Sequence, residues 1–176
     1  MPETLVTDAL VEAFVIEGGR PLNGTIRAAG NKNAALPIVA ACLLTEEPVL
    51  LTNVPTIRDV ETMLALVADL GVDVEHVGVG EVRLHAGGLS KRELDEELCS
   101  RIRASILLAG PLLAREGEAI VPPPGGDVIG RRRLDTHIHA LSQLGADIHV
   151  NRRYTMRAER LRGAFIFLDE ASVTGT

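Results

Sequence analysis

Aromatic side chains are scarce in this chain, which has no tryptophan, one tyrosine and three phenylalanines. Proteins that hold nucleic acid without reading its sequence need a basic surface and rings on which bases stack. A formal net charge of −6 and 2% aromatic residues therefore argue against a general nucleic-acid binder, and the arginines must serve something more local. Long apolar runs are missing too. None approaches the roughly 18–20 residues that cross a bilayer, so no membrane span is expected. The start, Met1-Pro2-Glu3-Thr4-Leu5, has no basic segment followed by an apolar one, so no secretory signal is visible and the cytoplasm is the expected compartment. Cysteine occurs only as Cys42 and Cys99, each in apolar or helical surroundings without metal-ligand spacing, which reads as two buried thiols. His137 and His139 are two residues apart on a predicted helix and point in different directions, whereas paired helical metal ligands stand four apart. His76, His85 and His149 are isolated, and no metal is expected.

What remains, 46% hydrophobic and 24% charged residues of both signs, describes a soluble globular protein. A length of 176 residues suffices for one full core or for part of a larger protein. Residues 1–12 are acidic and are expected to form a disordered tail. Ala13 to Gly19 and Gly24 to Ala28 read as strands. Asn33 to Leu44 reads as a buried helix of about three turns with Asn31 as its cap, and Val49 to Val54 as a fully buried strand. Val60, Met63, Leu64, Val67 and Leu70 recur at helical spacing within Thr56–Leu70, and Gly71 stops that helix.

The arrangement then repeats. Ala68-Asp69-Leu70-Gly71-Val72-Asp73-Val74 matches Ser142-Gln143-Leu144-Gly145-Ala146-Asp147-Ile148 at a shift of 74 residues, and Glu47-Pro48-Val49-Leu50-Leu51 resembles Glu118-Ala119-Ile120-Val121-Pro122 at a shift of 71. Each unit reads as strand, helix, strand, helix and a closing hairpin, with Ala164 to Asp169 as the strand that closes the second. Ser172 to Thr176 looks like the opening of a third. A period this long points to an α/β domain in which one unit cannot bury its helix alone.

Two stretches carry chemistry. In Pro124-Gly125-Gly126-Asp127-Val128-Ile129-Gly130-Arg131-Arg132-Arg133 the glycines permit a tight turn and close approach to a ligand, presenting Asp127 on a loop. The three arginines would clamp a phosphate or carboxylate beside the start of a helix near Leu134 or Asp135. The same residues also suit a solvated basic turn whose aspartate pairs with an arginine. Gly30-Asn31-Lys32-Asn33 offers a second place for phosphate, although Lys32 could equally be an exposed surface lysine. Arg101 and Arg103 flank Ile102 at another helix start, where an anion is conceivable.

Gly30-Asn31-Lys32-Asn33-Ala34, Arg103-Ala104-Ser105 and Pro124-Gly125-Gly126-Asp127-Val128-Ile129-Gly130-x-Arg132-x-Leu134-Asp135-x-His137, in this order and spacing, resemble the UDP-N-acetylglucosamine 1-carboxyvinyltransferases. These are enolpyruvyl transferases that open peptidoglycan synthesis. The resemblance runs from about Phe14 to Thr176. It implies the inverse α/β barrel of that family, with residues 13–176 as a partial domain of about two repeat units and a truncated third. It implies no cofactor and no metal. Carried over by position, Lys32, Asn33 and Arg132 would contact phosphoenolpyruvate. Arg103, Arg132, Arg133, Leu134, Asp135 and Thr136, with the later Glu170, Ala171, Ser172 and Val173, would line the UDP-N-acetylglucosamine site. Asp127 would be the catalytic acid, at a position where most members carry cysteine. The minority with aspartate resist fosfomycin, an epoxide that alkylates the thiolate.

The chain departs from the family pattern in two ways. Arg131 and Arg133 stand where many members have a small residue and a proline. The chain also covers less than half of a typical member, so the family's base for the sugar hydroxyl and its second domain have no counterpart here. The second wall of the cleft is then expected from self-association or from a C-terminal half. The alternatives are a non-catalytic domain that binds UDP-sugar or pairs with another chain, and the related 5-enolpyruvylshikimate-3-phosphate synthase. The latter is disfavoured because the Gly-Gly-Asp-x-Ile-Gly turn belongs to the nucleotide-sugar branch.

Overall fold

A computed structural model describes residues 15–19, 21–126 and 134–168. Its first helix, α1 (Lys32–Ala41), begins where the cap predicts. Asn31 Oδ1 accepts from the Asn33 and Ala34 amides at 2.7 and 3.3 Å, satisfying donors that have no partner inside the helix. A 3-10 turn, Cys42–Leu44, extends it. Strand β1 (Val49–Leu51) leads to α2 (Arg58–Asp69), which buries Val60, Met63, Leu64, Leu66 and Val67 along one face. The chain leaves α2 through Gly71 at φ +102° and enters the hairpin β2 (Asp73–Gly78) and β3 (Glu81–His85).

The second unit repeats this order. Helix α3 (Glu96–Arg101), a 3-10 segment (Arg103–Leu108) and α4 (Ala109–Glu116) precede β4 (Glu118–Val121). Helix α5 (Asp135–Gln143), Gly145 at φ +101°, β5 (Asp147–Val150) and β6 (Tyr154–Arg157) follow. Each unit closes its own antiparallel three-stranded sheet, β1-β3-β2 and β4-β6-β5, with the last strand in the middle.

The registers correct the sequence alignment of the two units. Val49 and Val74 both lie opposite Leu84, while Ala119 and Ile148 both lie opposite Met156. Val49 and Ala119 are therefore equivalent, a shift of 119 − 49 = 70 rather than the 71 expected. A one-residue slip moves every strand side chain to the other face. At 70, Val49 and Ala119 both join the core and Leu50, which is 52% exposed, meets Ile120 on the outer side.

Three expected strands do not form. Val15–Gly19, Gly24–Ala28 and Ala164–Leu168 have no strand among the described residues, and Val15, Ile16, Ile26, Phe165 and Phe167 are exposed. Their apolar content suits a strand, but a strand is defined by its ladder, and the two sheets are complete without them. The strand closing the second unit is β6 instead. The strand predicted over Val49–Val54 is confined to Val49–Leu51 and is only partly buried. The predicted tail and Ser172–Thr176 lie outside the described residues.

Helices α1, α2 and α4 and the 3-10 segment pack together against the sheets around Leu43, Met63, Leu66, Leu84, Leu108, Leu112 and Met156. The helix α1 is not covered all round, and Ile38 and Leu44 on its outer side are open to solvent. One side chain ties the units together. Arg115 of α4, 14% exposed, donates from Nη1 to the carbonyls of Leu43 at 2.9 Å and Ala86 at 2.7 Å, both in the first unit.

Candidate functional site

The first motif owes its shape to Gly30. A methyl group there would overlap the Asn53 carbonyl oxygen and press on the Pro55 ring, so only glycine lets the start of α1 lie against the loop between β1 and α2. Asn31 then caps the helix, and Lys32 and Asn33 are left exposed on its first turn. Lys32 Nζ donates to Asp59 Oδ2 at 2.8 Å, with both side chains partly exposed. Asp59 belongs to the first turn of α2, where the helix dipole favours a negative charge.

The third motif docks on the second by the same device. Gly125 donates its amide to the Cys99 carbonyl at 2.9 Å, and a side chain at Gly125 would overlap the Ser100 backbone. The glycine was expected to admit a ligand; the close neighbour it admits is the main chain at the end of α3. A methyl at Gly126 would lie 3.2 Å from the Arg103 amide, so the chain departs toward Asp127 beside Arg103. It returns at Leu134, which is buried, as is Thr136, while Asp135 is exposed. Any ligand contact from Leu134 or Thr136 would come from the main chain. His137 is half-buried, and burial, with the nearby Arg103 guanidinium second, lowers its pKa below the ordinary value. Arg103 opens its 3-10 segment as Lys32 opens α1, so each unit begins its inner helical run on a cation.

The two groups face a common space. An open pocket of about 740 Å³ is lined by Arg58, Asp59 and Thr62 of α2, by Thr56 and by Arg101 and Ile102. Asp59 carries Lys32 to one side of it, and Ile102 leads directly into Arg103 on the other. Arg101, read as a possible anion ligand, is held by Glu97 one turn earlier. Asp127, Arg131, Arg132, Arg133, Glu170, Ala171, Ser172 and Val173 lie outside the described residues. The sequence reading missed Arg58 and Asp59, because nothing in the chain marks a pair 27 residues apart and the surrounding Thr56-Ile57-Arg58-Asp59 carries no motif.

Both cysteines are buried and free. Burial pushes the Cys99 thiol up to about 11, the Ser105 hydrogen bond opposing and the Asp95 and Glu96 charges adding. Burial also raises Cys42. Among the described residues no three His, Cys, Asp or Glu side chains converge to hold a metal ion, and no helix is long and apolar enough to cross a membrane.

Two three-stranded units sharing one helical core, with cations at the start of each inner helix, define a duplicated α/β scaffold of the enolpyruvyl transferase type. Solved structures agree on that fold. The enolpyruvyl transferase NikO from Streptomyces tendae superposes with a TM-score of 0.69 at 22% identity, over 82% of this chain and 32% of that one. EPSP synthase from Acinetobacter baumannii gives 0.66 at 19%, over 86% and 36%. Residues 16–176 match the family model of EPSP synthase (3-phosphoshikimate 1-carboxyvinyltransferase), and the chain belongs to that family. Among curated relatives, UDP-N-acetylglucosamine 1-carboxyvinyltransferases are 58% identical in Bradyrhizobium diazoefficiens, over 93% of this chain, and 54% identical in Treponema pallidum, over 94%. The chain spans 38% and 39% of the length of those relatives.

Proposed function

We propose that this chain is part of an enzyme that transfers the enolpyruvyl group of phosphoenolpyruvate to the 3-hydroxyl of UDP-N-acetylglucosamine, releasing phosphate, as the first committed step of peptidoglycan synthesis. The observation that carries the reading is 58% identity across 93% of the chain to a relative of that name. The solved structures, at 19–22% identity, speak for the fold and not for the shikimate substrate that one of them uses. Detectable transfer to shikimate 3-phosphate would restore that alternative.

In this reading Lys32, Asn33 and Arg132 bind phosphoenolpyruvate. Arg103, Arg132, Arg133, Leu134, Asp135 and Thr136, with Glu170 to Val173, line the nucleotide sugar. Asp127 gives a proton to the methylene carbon of phosphoenolpyruvate. Positive charge then builds on the neighbouring carbon, the sugar oxygen adds there as its own proton is lost to a base, and phosphate leaves as the methylene carbon returns a proton. Nearby cations stabilise the anionic substrates throughout. The base for the sugar hydroxyl lies outside the motifs matched here. Residues 13–176 would form part of one domain, with the opposite wall of the cleft supplied by further sequence or by a second copy. No cofactor or metal enters these steps, and the compartment would be the cytoplasm.

The test is phosphate release from phosphoenolpyruvate with UDP-N-acetylglucosamine, comparing the 176-residue chain with its Asp127→Ala variant. Release that disappears in the variant supports transfer by this chain. No release leaves a binding or pairing role, a second reading favoured by exposed Phe165, Phe167 and Ile38, which need a cover. Where activity is present, fosfomycin distinguishes the acid. A carboxylate is a poor nucleophile toward an epoxide, so the native form should be insensitive and Asp127→Cys sensitive. Equal inhibition of both would refute that assignment.

A further inference from the structure

The chain has two lysines, Lys32 and Lys91, and both ammonium groups are held by a carboxylate. Lys91 Nζ meets Asp69 Oδ1 at 2.6 Å, at the far end of α2. Lys32 Nζ meets Asp59 Oδ2 at 2.8 Å at the start of α2, where Asp59 also lines the pocket shared with Arg58 and Arg101. We infer that Asp59 is a positioning residue for Lys32, holding the ammonium at the pocket wall so that it is already aimed when an anion arrives. The inference rests on the reading of Lys32 as a ligand of phosphoenolpyruvate.

The setting of Asp59 suits that task. Ile57, the cap position of α2, makes no side-chain capping bond, so the dipole of the first turn acts on the Asp59 carboxylate without a competing cap. The contact of Gly30 with Asn53 and Pro55 fixes the opening of α1 against the loop that leads into α2. Both partners therefore start from anchored backbone. A free lysine would have to freeze four side-chain torsions on binding, and the pair removes much of that cost beforehand.

Simple electrostatics gives the opposite expectation, which makes the inference testable. A carboxylate beside the ammonium repels an incoming anion, so a mere counter-ion would yield tighter anion binding once neutralised. Positioning yields weaker binding, by about tenfold if most of the side-chain ordering is lost. The full chain, labelled with nitrogen-15, is titrated with phosphoenolpyruvate while the two lysine Nζ signals are followed by NMR. In the native chain the Lys32 signal should move and that of Lys91 stay. Asp59→Asn should raise the dissociation constant about tenfold. Asp59→Glu, which keeps the carboxylate, should recover most of the loss. An unmoved Lys91 signal in both variants reports that α2 is intact, and if Asp59→Asn disturbs it the Glu variant decides. Binding to Asp59→Asn that is equal or tighter, or a loss in Asp59→Glu as large as in Asp59→Asn, overturns the positioning role alone. If phosphoenolpyruvate moves neither signal in the native chain, the reading of Lys32 fails and the role of Asp59 falls with it.

Discussion

Replacing Arg115 by methionine should cost about 3 kcal/mol. The side chain is largely buried and gives two hydrogen bonds to main-chain carbonyls, those of Leu43 and Ala86, from a charged donor. Such bonds contribute about 1.5–3 kcal/mol each, and the abandoned carbonyls would lack partners. Against this, methionine keeps most of the apolar stem and removes a guanidinium that is costly to bury, which brings the net below the sum of the two bonds. The ion pair with Glu46 adds little, since it spans 3.6 Å and Glu46 is 76% exposed. Urea denaturation followed by circular dichroism should therefore show a lower midpoint for Arg115→Met at unchanged slope, and a melting temperature roughly 6–12 °C lower for a domain of this size. Glu46→Gln should stay within about 0.5 kcal/mol of the native chain. A loss below about 1 kcal/mol for Arg115→Met, or an equal loss for Glu46→Gln, would show that the two units are not joined through these carbonyls.

Gly125→Ala should force the turn off the Ser100 backbone, costing roughly 1–3 kcal/mol in urea denaturation and lowering any phosphate release; a variant that matches the native chain in both refutes the docking. Cys99, with its thiol pushed up to about 11, should resist iodoacetamide at pH 7.5 in the folded chain and react once urea exposes it; labelling of the folded chain at the rate of a free thiol would contradict the burial. His137 has a lowered pKa, so as pH falls below about 6.5 the unfolded chain takes up the proton first and stability declines. Unfolding midpoints between pH 7.5 and 5.5 should accordingly fall less steeply in His137→Gln, and an unchanged slope would count against the shift.

Local signals in the sequence were legible where a single residue decides the outcome. Asn31 announces the start of α1 because its side chain bonds its own helix, and Gly71 and Gly145 announce helix ends because the chain turns there at positive φ. The segments around Val15, Ile26 and Phe165 misled for the opposite reason, since a strand exists only where a distant partner completes it. The alignment of the units slipped by one residue because the strands read as continuous apolar runs, in which neither face is marked. At the site, the motifs named Lys32 and Arg103 but not Asp59, whose pairing is a property of how α1 and α2 meet.

The stem of the glycine-rich turn is secured by main-chain contacts, through the Gly125 amide on the Cys99 carbonyl and its bare Cα on Ser100. None of those contacts involves the side chain at position 127. A lineage can therefore exchange the residue at the tip without disturbing the anchorage that delivers it, and the chemistry there becomes one of the more freely evolvable properties of the protein. An electrophilic inhibitor that depends on one reactive side chain at that tip selects against the part of the loop that is easiest to change.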